Sequence, residues 1–398
     1  MNYAIFAILT AGINFLTIIY MTRNMTPEEF GMIGIFIAII YLLPQLISFS
    51  AIGLVSINKS KMNETNFLNF SQTYISFSIF IFILVFIVFL IFISLFGEYI
   101  YIFVPIIAFI QYLALFHNAE LIQDSRSTRF SIYRLSLSII SFVFTFILIE
   151  YLNMTWDGRL FSILISELII LLIMLKYSFI TLHKFNFNYN GIHFKEYIYF
   201  GFPLLFGLVA GWLLNQGDRF IVLHFFTLKE VGIYTLAYSI GTIVNVVNQA
   251  MINAITPTLY RYLNKKEGYK IVRNINIYYS IIILSISLSI GLSSYWYIPL
   301  IFGEQYINSS DIILFISLAF AFNGMYRITG GVIAFYKENK LQMKLLYISA
   351  IINIIISILL IPIFNILSPA IGTLIAYIFL VYFSYKYSWH ILKKEEQC

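Results

Sequence analysis

Twelve runs of about twenty apolar residues, divided by short polar segments, fill almost the whole of this chain. A run of that length crosses the hydrocarbon core of a bilayer, about 30 Å, as a helix. The runs are continuous and not alternating, which excludes a transmembrane barrel. The predicted spans are 3–22, 31–57, 72–96, 99–119, 130–151, 159–176, 197–222, 231–256, 275–298, 311–334, 345–364 and 369–391. Of the 398 residues, 61% are hydrophobic and 11% charged, against about half and about a quarter in a soluble domain. The predicted fold class is therefore an all-α polytopic membrane protein. Pro44 lies within the second span, and Pro257 is expected to end the eighth. The run from Ala4 to Met21 lacks a basic leader and a small-residue cleavage site, and reads as a retained membrane helix.

The charges mark topology. Seventeen Lys and Arg residues fall in the even-numbered loops and the C-terminal segment, including Lys59, Lys61, Arg126, Lys184, Lys265 and Lys266. Only Arg23, Arg159 and Lys229 fall in the odd-numbered loops. By the positive-inside rule both termini are expected in the cytoplasm. The net charge of +6 is thus an orientation signal, and nucleic acid is not an expected partner. Arg134 and Lys386 stand near enough to helix ends to snorkel into headgroups; Arg219 and Arg327 stand deeper. The loops are too short for a separate catalytic domain, and no G-x-x-x-x-G-K phosphate loop occurs. No enzyme activity, cofactor or metal site is expected. Cys398 is the only cysteine, so no disulfide forms within the chain.

The two halves repeat. A shift of 201 lays TPEEFGMI (Thr26 to Ile33) over TLKEVGIY (Thr227 to Tyr234), matching Thr26 with Thr227, Glu29 with Glu230 and Gly31 with Gly232. The same shift puts Asn14 over Asn215 and Arg23 over His224, and a shift of 214 puts Gly158 over Gly372. Six spans separate the copies, an even number, so both lie the same way in the membrane. This predicts a parallel pseudo-twofold repeat of two six-helix lobes, 1–190 and 191–398, with a substrate path between them and alternating access by rocking.

TRNMTPEEFGMIGIF after the first span, GDRFIVLHFFTLKEVGIYTLAYSI and NAITPTLYRYLNKKEG resemble the polysaccharide lipid flippases (Wzx-type) of the MOP superfamily, and the similarity runs over essentially the whole chain. The resemblance implies a MOP-type fold in the bacterial cytoplasmic membrane. Its implied substrate is an undecaprenyl-diphosphate-linked oligosaccharide, an O-antigen or capsule repeat unit, moved from the cytoplasmic to the outer leaflet. It also implies H+ or Na+ as coupling ion, and polysaccharide polymerase and chain-length proteins as partners beside membrane lipids.

Polar residues inside the spans are the candidate machinery, because an intramembrane charge needs a partner or a cavity. A diphosphate headgroup calls for fixed positive charge, and guanidinium binds phosphate oxygens bidentately. Arg219, Arg327 and Arg23 are the candidates for that contact, with Asn215, Asn248 and Asn323 as hydrogen-bonding partners for headgroup and sugar. Gln45, Gln111, Asn245, Gln249 and Asn253 supply further amides, each open to a purely interhelical role. Glu167, in mid-span, and Asp218 are the candidate ion-coupling carboxyls. Gly207 and Gly211 form a G-x-x-x-G whose default reading is close packing, and with Gly217 they offer points where the seventh span could bend. The rival readings are a multidrug antiporter of the same superfamily, a membrane polysaccharide polymerase, which would want a large outer loop, and a major-facilitator sugar porter, whose basic G-x-x-x-D motif is absent from GLVSINKSKMNETN.

Overall fold

The structure, a computed structural model, describes residues 2–123, 127–177, 186–187, 190–263 and 268–396. Arg126, Lys184, Lys265, Lys266 and Cys398 lie outside the described residues. Helices α1 (Asn2–Asn24), α2 (Pro27–Ile47), α3 (Ile52–Lys61), α4 (Glu64–Phe96), α5 (Phe103–Gln123), α6 (Ser127–Glu150) and α7 (Trp156–Tyr177) make the first half. The second half holds α8 (Gly191–Phe225), α9 (Leu228–Leu263), α10 (Gly268–Tyr297), α11 (Ser309–Phe335), α12 (Asn339–Phe364) and α13 (Ser368–Glu396). All but the ten-residue α3 are long helices, and together they cover the twelve predicted spans. Two compact units result. The first comprises Met1–Met21 and Ile35–Val209; the second comprises Thr22–Gly34 and Ala210–Cys398.

In the first unit α5 packs against α3, α4, α6 and α7. In the second, α11 packs against α9, α10 and α13. The side chains are sorted as lipid demands. Phe80, Ile87, Ile91 and Leu95 of α4 are exposed, while Ser78, Thr145, Ser162, Asn248 and Asn353 are buried. Hydrocarbon outside removes any penalty for exposing apolar groups, and the polar ones turn inward to find partners.

The predicted second span, 31–57, is two helices. Helix α2 stops at Ile47, Phe49 and Ser50 adopt left-handed backbone (φ 52° and 57°), and α3 begins at Ile52. Left-handed backbone costs a non-glycine residue roughly 1–2 kcal/mol, and here it is held by packing within the first unit. The Tyr74 hydroxyl donates to the Ser48 carbonyl at 3.2 Å, and the Phe49 ring stacks on Tyr197 at 5.7 Å. Pro257 likewise fails to end a helix: α9 continues to Leu263, because Leu259 and Leu263 are buried beyond it and their burial outweighs one missing N–H.

The 201-residue repeat has a physical cause inside the second unit. Thr26 and Glu29 form a capping box at the start of α2: the Thr26 amide donates to the Glu29 carboxylate at 2.8 Å, and the Glu29 amide to the Thr26 hydroxyl at 3.3 Å. Thr227 and Glu230 repeat the amide-to-carboxylate bond at α9, at 3.3 Å, and the Thr227 hydroxyl also donates to Glu230. A capping box satisfies two orphan donors at a helix start. The two capped helices cross at Gly31 and Gly232. A β-carbon on Gly31 would strike the carbonyl of Leu228, and one on Gly232 the carbonyl of Pro27. Each glycine therefore faces the residue four places before the other, and glycine is required on both sides.

The close packing expected at Gly211 does not occur there, since a β-carbon would meet nothing within 4 Å; Gly217 would meet only its own helix's Leu213. Helix α8 runs unbroken through Pro203, Gly207, Gly211 and Gly217. Gly31→Ala or Gly232→Ala should each destabilise the protein by about 1–3 kcal/mol, the usual cost of overpacking. The check is the unfolding temperature of the purified protein, where Gly211→Ala should be neutral or slightly stabilising; equal unfolding temperatures for all three would refute the crossing.

Candidate functional site

Each unit gathers its own polar centre. In the second unit the opening turns of α9 bring Tyr234 and Tyr238 against α8. Asp218, with no exposed surface, accepts on Oδ2 from the Tyr234 hydroxyl at 2.6 Å and the Thr373 hydroxyl at 2.7 Å. Thr373 in turn accepts from the Asn353 amide at 2.9 Å. Asp218 is thus enclosed by oxygen-bearing neutral groups from α9, α12 and α13. Such a setting suits a proton or a small hard cation, which takes oxygen ligands.

Arg219, one residue on, points another way. Its Nη1 donates to Gln216 Oε1 at 2.5 Å, and the guanidinium lies 4.6 Å from the centre of the Tyr238 ring, a cation–π distance. Asn215 accepts on Oδ1 from Tyr238 and Tyr377, both at 3.3 Å, and donates to the Gly211 carbonyl at 2.6 Å. Arg327 lies on α11, where its Nη1 donates to Gln249 at 2.7 Å, and Gln249 donates to Asn253 at 2.8 Å. Asn245 and Asn323 carry buried side-chain oxygens that accept no hydrogen bond.

Two predicted contact residues are occupied within the second unit. Asn248, with no exposed surface, donates to the Phe320 carbonyl at 2.8 Å and accepts from Tyr279 at 2.7 Å, tying α9 to α10 and α11. Arg23 donates from Nε to the Ile301 carbonyl at 2.7 Å and from Nη2 to that of Leu300. A cation there meets the carbonyls left open at the end of the short helix Ile298–Phe302 that follows α10.

The first unit contains a partly open cavity of about 520 Å³. Glu167 lines it and accepts from the Gln111 amide at 3.0 Å. Asn14, Gln45 and Asn118 add amides to the walls, and Arg134 and Arg159 add two guanidiniums. Arg159 counts among the odd-loop charges, at the first residue of the predicted span 159–176. Helix α7 instead begins at Trp156, because the Asp157 carboxylate accepts from the Thr155 and Gly158 amides at 2.9 and 3.0 Å, so Arg159 lies a turn inside. The signal was present in TWDGR: an Asp beside a Thr ahead of an apolar run is a helix-start pattern.

The sequence profile of a family described as "Polysaccharide biosynthesis protein" matches residues 20–311. The chain belongs to that family. A protein of the Lsg locus of Haemophilus influenzae is 25% identical over 162 residues, 39% of this chain and 39% of its own length; the match thus spans well under half of that relative. Among solved structures, "Lipid II flippase MurJ, inward closed conformation" superposes with TM-score 0.79 at 14% identity, covering 99% of this chain and 90% of that one. An inward-facing multidrug resistance MATE transporter of the MOP superfamily gives 0.69 at 16%, covering 97% and 96%. A MATE transporter of Vibrio cholerae gives 0.60 at 13%, covering 99% and 95%. The protein is a multi-pass membrane protein with the MOP fold.

Asn248→Leu should destabilise the protein. Each lost partner leaves a buried polar group unsatisfied, at about 1–3 kcal/mol, and the expected result is a lowered unfolding temperature with the helical circular-dichroism signal retained at 25 °C.

Proposed function

We propose that this protein is a flippase for an undecaprenyl-diphosphate-linked oligosaccharide, working in the bacterial cytoplasmic membrane with both termini in the cytoplasm. Two lobes, 1–190 and 191–398, rock about a central path and carry the headgroup from the cytoplasmic to the outer leaflet. The observation that carries this reading is the placing of guanidinium and amide groups inside an apolar membrane body. A hydrated anionic glycan cannot cross hydrocarbon unaided, and these groups replace its water. Membership of a polysaccharide biosynthesis family and a fold shared with a lipid II flippase support the same substrate class.

Arg219 and Arg327 are the headgroup contacts in this scheme, with Asn215, Gln249 and Asn323 beside them. Asp218 takes the coupling cation, a proton or sodium, and Glu167 is the second candidate carboxyl. Asn248 and Arg23 serve the scheme indirectly, by holding α9 and the short helix Ile298–Phe302 that follows α10. A multidrug antiporter is the second reading, favoured by the buried Asp218 and by the MATE-type fold relatives.

Reconstituted protein should move a undecaprenyl-diphosphate-linked oligosaccharide across proteoliposomes, read by accessibility to an externally added glycosidase. Arg219→Ala and Arg327→Ala should each slow this by about tenfold or more, the loss expected from a charge-assisted bond of about 1.5–3 kcal/mol, and Lys at either position should restore part of it. Asp218→Asn should remove the dependence on an imposed proton or sodium gradient. Translocation at the rate of empty liposomes, with gradient-driven efflux of an organic cation, would instead establish the antiporter.

A further inference from the structure

The cavity of the first unit holds a cation whose counter-charge the protein does not provide. Arg159 Nη1 donates to three hydroxyls, Ser141 at 2.7 Å, Thr145 at 2.9 Å and Ser162 at 3.3 Å. Thr145 and Ser162 each lie within reach of a backbone carbonyl, that of Ser141 at 2.6 Å and that of Arg159 at 2.7 Å, and of one another's hydroxyl at 2.8 Å. Both oxygens accept from the guanidinium. The cradle positions the cation without neutralising it. Nε is buried and donates to nothing, and no hydrogen bond from Nη2 occurs among the described residues.

No carboxylate compensates this charge. Among the described residues no Asp or Glu lies within ion-pair distance of Arg159, the pairs formed in this unit being His117–Glu120 and His193–Glu196. The titratable side chain that acts on it electrostatically is Tyr41, another lining residue. Glu167, the carboxyl in the cavity, accepts from Gln111 and interacts with Arg134 instead. A guanidinium inside a membrane body without a counter-ion is costly. The edge of Arg159 left over, Nε with Nη2, is the fork that matches a planar carboxylate with two parallel N–H···O bonds.

We propose that Arg159 is an anion subsite that takes the carboxylate of an acidic sugar, and that the cavity of the first unit therefore selects glycans containing a uronic-acid-type residue. This rests on the glycan-transport reading above. The charge count favours a sugar carboxylate over the diphosphate: one uncompensated guanidinium matches a single negative charge and falls short of two phosphates. The surrounding walls agree, because Asn14, Gln45 and Asn118 offer the donors and acceptors that sugar hydroxyls use. The volume of about 520 Å³ lies within the range of small-ligand pockets, about 300–1,000 Å³.

The test is direct binding to the purified full-length protein in nanodiscs, by saturation-transfer NMR and titration, with glucuronate, glucose and inorganic phosphate as probes. Glucuronate should bind at least about tenfold more tightly than glucose, Arg159→Gln should abolish that preference, and Arg159→Lys should keep part of it. The Gln and Lys variants should unfold at similar temperatures, separating lost charge from lost fold. Equal binding of glucose and glucuronate, or an unchanged preference in Arg159→Gln, would overturn the subsite. Phosphate binding that depends on Arg159 while glucuronate fails to bind would overturn the carboxylate assignment. Free-sugar binding does not involve translocation: a wild-type protein that binds glucuronate through Arg159 and moves no lipid-linked glycan refutes the flippase reading and leaves the subsite standing.

Discussion

Lipid offers no hydrogen-bond partner, and the rest of this structure follows from that. Every backbone amide in a span must be bonded within its own helix, so the chain is helical wherever it crosses the membrane. Every polar side chain must then find a partner in the protein or a water-holding cavity. The result is an apolar outer face around an interior that holds both apolar and polar side chains. Phenylalanine and isoleucine of α4 face outward, while Ser78, Thr145, Asn353 and Asp218 lie inside.

Given that constraint, the way a buried polar group is satisfied separates scaffold from machinery. Asn248 has a donor and an acceptor partner from two different helices, and Arg23 is spent on the carbonyls of Leu300 and Ile301. Both hold helices together. Asp218 is bonded by neutral hydroxyls alone at Oδ2, and Arg159 by neutral hydroxyls alone. In the proposed scheme these two are the charges held in place by oriented neutral dipoles, for a mobile ion at Asp218 and an anionic ligand at Arg159. Asp218 lies in the second unit and Arg159 in the first, and their charges are opposite in sign.

Small residues set the other condition. Gly31 and Gly232 allow two capped helix starts to touch backbone to backbone, and the Thr-x-x-Glu box beside each glycine fixes where the helix begins. The repeat is sparse elsewhere because only these positions are constrained this tightly. Lipid-facing positions accept any large apolar residue, so drift erases the likeness there.

Hydropathy alone determined the number of spans and the helical class, because a bilayer imposes length and apolarity on each crossing independently of its neighbours, and short motifs such as TRNMTPEEFGMIGIF carried the family resemblance. The paired Thr, Glu and Gly positions were visible for the same reason: caps and close crossings are local demands written in a few residues. Tertiary structure decided the rest. Phe49 and Ser50 break a run apolar enough to read as one span, since Tyr74 and Tyr197 hold that segment from distant helices. Asn248 and Asn323 have the same side chain two spans apart, and only packing gives one two partners and leaves the other's oxygen without a bond. Arg159 looked like a loop charge until the start of α7 and three hydroxyls from α6 and α7 drew it into a cavity. Which polar groups meet is a property of helix faces brought together across long sequence separations, and no single span carries that information.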